Sequence, residues 1–245
     1  MPRLAIVAAL EREVSTLIQG CRRVQQDYEG RSFIFFERDD MVAVCGGIGA
    51  DAARRAAEAV ISQYRPTIVQ SVGFAGALTA NMRIAEIFTP AVVIDARDGS
   101  RTEIDGGTGT LVTFMEVASA AQKSNLAQAY GAQAVDMEAA AVAAAARAHG
   151  IKFATIKVIS DELTFELPHT ARFIGAQGQF RTASFALFAA LRPWLWGRVA
   201  TLASNSRKAS QALGQHLERF QRNSIPATPA SQPAATAGFT SRSPK

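Results

Sequence analysis

The sequence predicts an α/β fold, a mixed or largely parallel sheet flanked by helices. Three observations carry this. Strand-like and helix-like segments alternate along the body of the chain. Glycine-rich turns follow strand-like runs where such a sheet holds its ligand crevice. Hydrophobic residues make up 48% and charged residues 19% of 245 residues, enough for a large core.

The elements read as follows. Leu4–Ala8 is a buried strand, and Glu13–Gln19 starts a helix. Phe33–Phe36 and Met41–Cys45 are neighbouring strands across the turn signal Asp39-Asp40. Gly46-Gly47-Ile48-Gly49 leads into a helix over Ala50–Tyr64. Thr67–Val72 is the next strand, ending in Gly73-Phe74-Ala75-Gly76, and Ile87–Ala96 reads as another. Asp105–Gly109 is a loop, Thr110–Thr113 a strand and Glu116–Ala129 a helix. Ala134–Asp136 enters a helix over Glu138–His149, and Phe153–Ile159 is a strand closing at Ser160-Asp161. An apolar helix over Phe180–Trp196 and a second over Val199–Phe220 complete the ordered part. The expected division is a body over 1–197, a basic C-terminal helix over 198–221, and a disordered Pro/Ser/Ala/Thr tail over 222–245.

Composition excludes several classes. Cys21 and Cys45 lack metal-site spacing, and His149, His169 and His216 do not pair, so neither a disulfide scaffold nor a metal is expected. The opening apolar run is too short for a signal peptide, and a cytoplasmic location is expected. The net charge of +5 sits at one end: seven basic residues and one acid lie from Arg198 onward, leaving residues 1–197 at a net −1. With no accompanying motif, a nucleic-acid partner is not expected. The apolar segment with Phe185, Phe188, Leu191, Trp194, Leu195 and Trp196, next to that basic stripe, raises a peripheral membrane contact. Packing on the core or on a second subunit is the favoured reading.

The residues able to carry chemistry lie at strand ends. Gly47-x-Gly49-x-x-Ala52 fits a loose dinucleotide pattern, but it does not follow the first strand and no acid closes the next one. Glu13, Asp136, Glu138 and Asp161 all fall where a crevice is expected. One such acid is ordinarily a helix cap; acids at three separate strand ends favour a site. A carboxylate at Glu138 can accept both ribose hydroxyls. An acid at Asp161 can protonate a departing purine, and Glu13 can activate a water. Cys45 reads as a buried strand residue rather than a nucleophile.

These segments resemble the purine nucleoside phosphorylase/nucleosidase superfamily, above all methylthioadenosine/S-adenosylhomocysteine nucleosidases. The resemblance rests on Ala8–Val14, Gly47-Ile48-Gly49, Gly73-Phe74-Ala75-Gly76, Val135-Asp136-Met137-Glu138-Ala139-Ala140-Ala141 and Ile159-Ser160-Asp161-Glu162. It implies a three-layer α/β/α sandwich, a homodimer or higher homo-oligomer, and hydrolysis of a purine nucleoside, such as a 5′-modified adenosine, without a cofactor. Glu13 and Asp161 are the implied catalytic residues. Ile48, Phe74, Ala75, Gly76, Val117, Met137, Glu138 and Ser160 are the implied substrate contacts, with Ser160 orienting Asp161. Family nucleosidases carry serine at Phe74 and arginine at Lys157. Two other readings remain open: phosphorolysis, including a branch acting on hopanoid-linked adenosine, and a non-catalytic nucleoside-binding relative.

Overall fold

The computed structural model describes residues 2–166, 170–175 and 178–224. Its centre is one mixed sheet of eleven strands. The strands are β1 Leu4–Ala8, β2 Arg22–Tyr28, β3 Arg31–Arg38, β4 Met41–Cys45, β5 Ile68–Ala77, β6 Ile87–Phe88, β7 Val92–Asp95, β8 Arg101–Glu103, β9 Thr110–Thr113, β10 Ala134–Asp136 and β11 Lys152–Asp161. The helices are α1 Ser15–Ile18, α2 Ala50–Tyr64, α3 Ala120–Tyr130, α4 Ala139–Ala148, α5 Thr182–Ala190 and α6 Trp196–Ser224. The order across the sheet is β2-β3-β4-β1-β5-β10-β9-β7-β8, with β11 on β5 and β6 on β11.

The period-two alternation of strand side chains builds two layers of core. Ala5, Val7, Val42, Val44 and Val69 face α2 and α4, meeting Ala53, Ala56, Val60 and Val142. Ile6, Ala43, Val72, Ile156 and Val158 face the other way, meeting Val14 before α1, Leu17 of α1, and Ala209, Leu213 and Leu217 of α6. The result is an α/β/α sandwich.

The topology leaves a gap beside β5. Parallel β1 pairs Leu4–Val7 with Ile68–Ser71, whereas antiparallel β10 pairs Ala134 and Val135 with Ala77 and Gly76. The C-terminal ends of β1 and β10 therefore approach each other along the same edge of β5. Between them Val72–Ala75 have no strand partner on that edge. Parallel β11 lines the other edge, with Lys157 opposite Gly73. Chain ends converge at this gap, the kind of place where open α/β sheets bind ligands.

Several sequence expectations are corrected. Gly73–Gly76 are not a turn but lie inside the ten-residue β5. Their small side chains serve close approach rather than chain reversal. The segment Ile87–Ala96 breaks into β6 and β7 around Pro90, which cannot donate to a ladder. The helix expected from Glu116 begins at Ala120, because the Ser119 side chain caps it and Gln122 reciprocates. The apolar helix expected over Phe180–Trp196 ends at Ala190, and Pro193 opens a separate 3-10 turn. Within that segment Phe185 and Phe188 stack on Phe173 and Leu195 is buried, while Leu191, Trp194 and Trp196 are exposed. The edge strands β2 and β8 carry no apolar face that would announce them. No described helix is long and apolar enough to cross a membrane. From residue 225 the expected tail lies outside the described residues.

The basic helix α6 is tied to the loop after β1. Ser210 Oγ donates to the Arg12 carbonyl at 2.6 Å. Gly214 packs so closely that an added Cβ would lie 1.9 Å from Thr16 Oγ1. Gly214→Val is expected to lower unfolding stability by about 1–3 kcal/mol through overpacking. Gly197→Ala, whose methyl would meet open space, should leave it unchanged or slightly higher; denaturant titration of both variants checks this.

Candidate active site

The gap beside Gly73 gathers charge. Lys157 projects from β11, is 1% exposed, and pairs with the Asp136 carboxylate at 2.8 Å. Its ammonium also donates to Ser71 Oγ at 3.1 Å. Asp136 completes its bonding by accepting from Thr113 Oγ1 at 2.6 Å and from the Ala139 N–H at 2.8 Å. It thereby caps α4 while anchoring the lysine. Burial opposes the Lys157 charge, but Asp136, Glu138 and Glu13 outweigh it and raise the pKa.

Glu13 reaches the same place from the 3-10 turn after β1 (Glu11–Glu13). Its Oε2 accepts from the Ala9 and Leu10 N–H groups at 3.1 and 3.2 Å. The carboxylate lies over Gly73, where a Cβ would come within 2.9 Å of Oε2. Burial pushes its pKa up, against the Leu10 hydrogen bond and the Lys157 charge. Glu138, at the N-terminus of α4, accepts from the Gly49 N–H at 2.8 Å. This fixes the Gly47-Ile48-Gly49 turn against it, and Gly49 takes a φ of +98° to do so. Burial and then the Asp136 charge raise the Glu138 pKa to about 7.

Asp161 lies farther along. A β-bulge between Ile159 and Asp161 sets it opposite Gly76, with Ser160 as the extra residue. Ser160 Oγ donates to Asp161 Oδ1 at 2.8 Å. The other oxygen, Oδ2, meets the ammonium of Lys123 at 2.5 Å. A Cβ on Gly76 would fall 2.8 Å from Asp161 Oδ2 and 3.3 Å from Lys123 Cε. Glu13 and Asp161 thus meet β5 at residues 73 and 76, three residues apart and so on opposite sides of the strand by its period-two alternation.

The sequence matches the family model described as the phosphorylase superfamily over residues 3–114 and 105–192. The chain belongs to the phosphorylase superfamily. Solved structures share the fold of this superfamily member at low identity. Futalosine hydrolase of Helicobacter pylori is 15% identical with a TM-score of 0.67, covering 91% of this chain and 98% of its own. The 5′-methylthioadenosine nucleosidase of Arabidopsis thaliana is 16% identical with a TM-score of 0.68, covering 91% and 96%. The S-adenosylhomocysteine nucleosidase of Streptococcus pyogenes is 16% identical with a TM-score of 0.64, covering 91% and 97%. A comparison with curated proteins gives no match.

The superfamily member places its sequence-predicted residues unevenly. Glu13 and Glu138 flank the Lys157–Asp136 pair, and the Met137 N–H donates to Glu138 Oε2 at 3.2 Å. Ala75 and Gly76 run along β5 beside Ser160 and Asp161. The Ile48 N–H donates to the Gly178 carbonyl at 2.7 Å, so the Gly178 loop covers that turn. Phe74 packs with the α1–α6 cluster, on the sheet face opposite Gly73 and Lys157. Val117 is 45% exposed in the loop before α3. Asp136, one of the crevice acids expected from the sequence, accepts from the first N–H of α4 and pairs with Lys157. Lys123 went unnoticed, although Leu126 three residues on marks the buried face of α3 and gave the signal.

Lys157→Met would leave Asp136 buried and uncompensated beside Glu13 and Glu138. We expect a loss of about 3–5 kcal/mol of stability, read by urea unfolding at pH 7.

Proposed function

We propose that the chain hydrolyses the N-glycosidic bond of a purine nucleoside, such as a 5′-modified adenosine. The observation that carries this is the placement of Glu13 and Glu138 around one buried ammonium, with Asp161 three residues farther along β5 beside Gly76. Ionised Glu138 accepts the ribose hydroxyls. The excess of carboxylates stabilises the positive charge that develops on the ribose as the bond to the base stretches. Asp161, oriented by Ser160, faces the base and delivers the proton that lets it leave. Glu13 takes a proton from the attacking water, and its raised pKa makes it a stronger base for that step. The atoms balance: water supplies a hydroxyl to the anomeric carbon, and the base leaves protonated.

Hydrolysis is favoured over phosphorolysis by the charge of the gap. Three carboxylates face one ammonium there, and a phosphate nucleophile would meet net repulsion. The names of the structural neighbours, hydrolases and nucleosidases of 5′-modified adenosines and futalosine, agree with this class of reaction. A homo-oligomer in the cytoplasm is the accompanying expectation.

Methylthioadenosine, adenosylhomocysteine, adenosine and inosine are to be incubated with pure protein, with and without phosphate, and free base measured. Release without phosphate, unaffected by its addition, is expected. Phosphate-dependent release would favour the phosphorylase reading, and no release from any of them would favour binding alone. Asp161→Asn is expected to lower kcat by about 10²–10⁴-fold.

The pH dependence follows from Glu138. Its free-state pKa of about 7 means that the sugar acceptor is protonated below that pH and ionised above it. We expect kcat/KM to rise with pH through about 7, an apparent value belonging to the group of carboxylates. Glu138→Gln should abolish this limb and weaken sugar binding; a limb that persists in the variant belongs to another group.

A further inference from the structure

Lys123 has no role in the hydrolysis as derived so far, and nothing in its local structure favours it. It sits in the first turn of α3, the positive end of the helix dipole, where a cation is disfavoured. It is also 2% exposed. An ammonium removed from water needs an acceptor for each N–H. All the acceptors it finds belong to the chain leaving β11: Asp161 Oδ2 at 2.5 Å, the Glu162 carbonyl at 2.6 Å and the Phe165 carbonyl at 3.4 Å. Other acids at that helix end are engaged elsewhere. Glu116 holds Gln122, and Glu166 accepts from the Ala120 N–H at 2.6 Å. Asp161 is the one carboxylate among the described residues that contacts Lys123. Gly76 leaves the room for the pair, since any Cβ there would strike both partners.

We propose that Lys123 supplies, through Asp161, the proton that the leaving base receives. The inference rests on the hydrolase reading above. An Asp161 carboxylate bonded to an ammonium has no proton of its own to give, so the pair carries one transferable proton between two residues. As the glycosidic bond breaks, its electron pair stays with the base. A ring nitrogen of the base takes a proton from Asp161 while Lys123 passes one to Asp161. The products of the step are a ribosyl cation, a neutral protonated base, a neutral Lys123 amine and an Asp161 carboxylate. Water then adds to the cation, Glu13 accepts the released proton, and Lys123 regains one from solvent. Lys123 is a positioning residue that acts through Asp161.

The test compares a leaving group that needs protonation with one that does not. Wild type, Lys123→Met and Lys123→Arg are assayed from pH 6 to 10 with methylthioadenosine and with 4-nitrophenyl β-D-ribofuranoside. For methylthioadenosine, Lys123→Met is expected to lower kcat by about 10²-fold or more, as loss of general acid catalysis does. KM should change little. Lys123→Arg keeps a cation and donors but cannot release a proton, so it should not restore kcat. The nitrophenyl riboside should be cleaved at near wild-type rates by both variants. Full rescue by arginine, or equal losses on both substrates, would reduce Lys123 to a structural anchor and overturn the proposal. Should Lys123→Met fail to fold, the arginine variant decides: wild-type kcat on methylthioadenosine, or equal losses on both substrates, contradicts it. Wild-type protein inert toward every nucleoside and the riboside would instead remove the hydrolase reading itself.

Discussion

The buried ammonium of Lys157 is the constraint on which the rest of the site depends. Three carboxylates surround it, those of Asp136 and Glu138 from the junction between β10 and α4 and that of Glu13 from the turn after β1. Without a cation these acids would repel one another in a medium that screens poorly. With it, one of them is spent on structure and two remain available. Asp136 is wholly engaged by Lys157, Thr113 and the first N–H of α4. Glu13 and Glu138 keep raised pKa values, which means that each still carries an unmet demand for positive charge. Under the proposed hydrolysis, a ribosyl cation is what answers that demand, and such a site would match the charge that develops in the transition state better than a neutral nucleoside.

The sheet explains why these acids meet. Because β1 runs parallel to β5 and β10 antiparallel to it, their C-terminal ends arrive at the same stretch of β5 from opposite directions. Each end carries its acid into the gap: Glu13 five residues after β1, and Glu138 two residues after β10. Glycine at 73 and 76 makes the strand thin enough for carboxylates to lie against it. The C-terminal helix contributes from behind. Its Ala209, Leu213 and Leu217 cover Val14 and Leu17, and Ser210 holds the Arg12 carbonyl, so the turn bearing Glu13 rests on α6. The basic stretch belongs in this respect to the scaffold of the site.

Much of this was legible in the sequence, for identifiable reasons. Strands buried on both faces, such as Met41–Cys45, and the alanine-rich α2 and α4 announce themselves by composition and period. Acids directly after such strands were readable as crevice residues; Glu13 and Glu138 do reach the gap around Lys157, and Asp161 lies beside Gly76. Other features depend on long-range pairing. The edge strand Arg22–Tyr28 alternates weakly because one side of it faces solvent. The glycines of β5 looked like a turn because their reason, close approach of Glu13 and Asp161, comes from residues far away in sequence. Phe74 looked like a pocket residue by its neighbours, yet the alternation of β5 turns it to the α6 side. Lys123 and Lys157 were hardest, since a single lysine in a helix or strand reads as a solvated charge until its partner is known.

The account stands on an anionic pocket shaped for a sugar cation, and binding can be measured without turnover. An adenosine analogue with a protonated pyrrolidine in place of the ribose ring should bind far more tightly than the neutral nucleoside, by about 100-fold or more. Isothermal titration calorimetry of both ligands at pH 7.5, repeated on Glu13→Gln, reads this directly. The account predicts a strong preference for the cation that shrinks in the variant. Equal affinity for the charged and neutral ligands would contradict it.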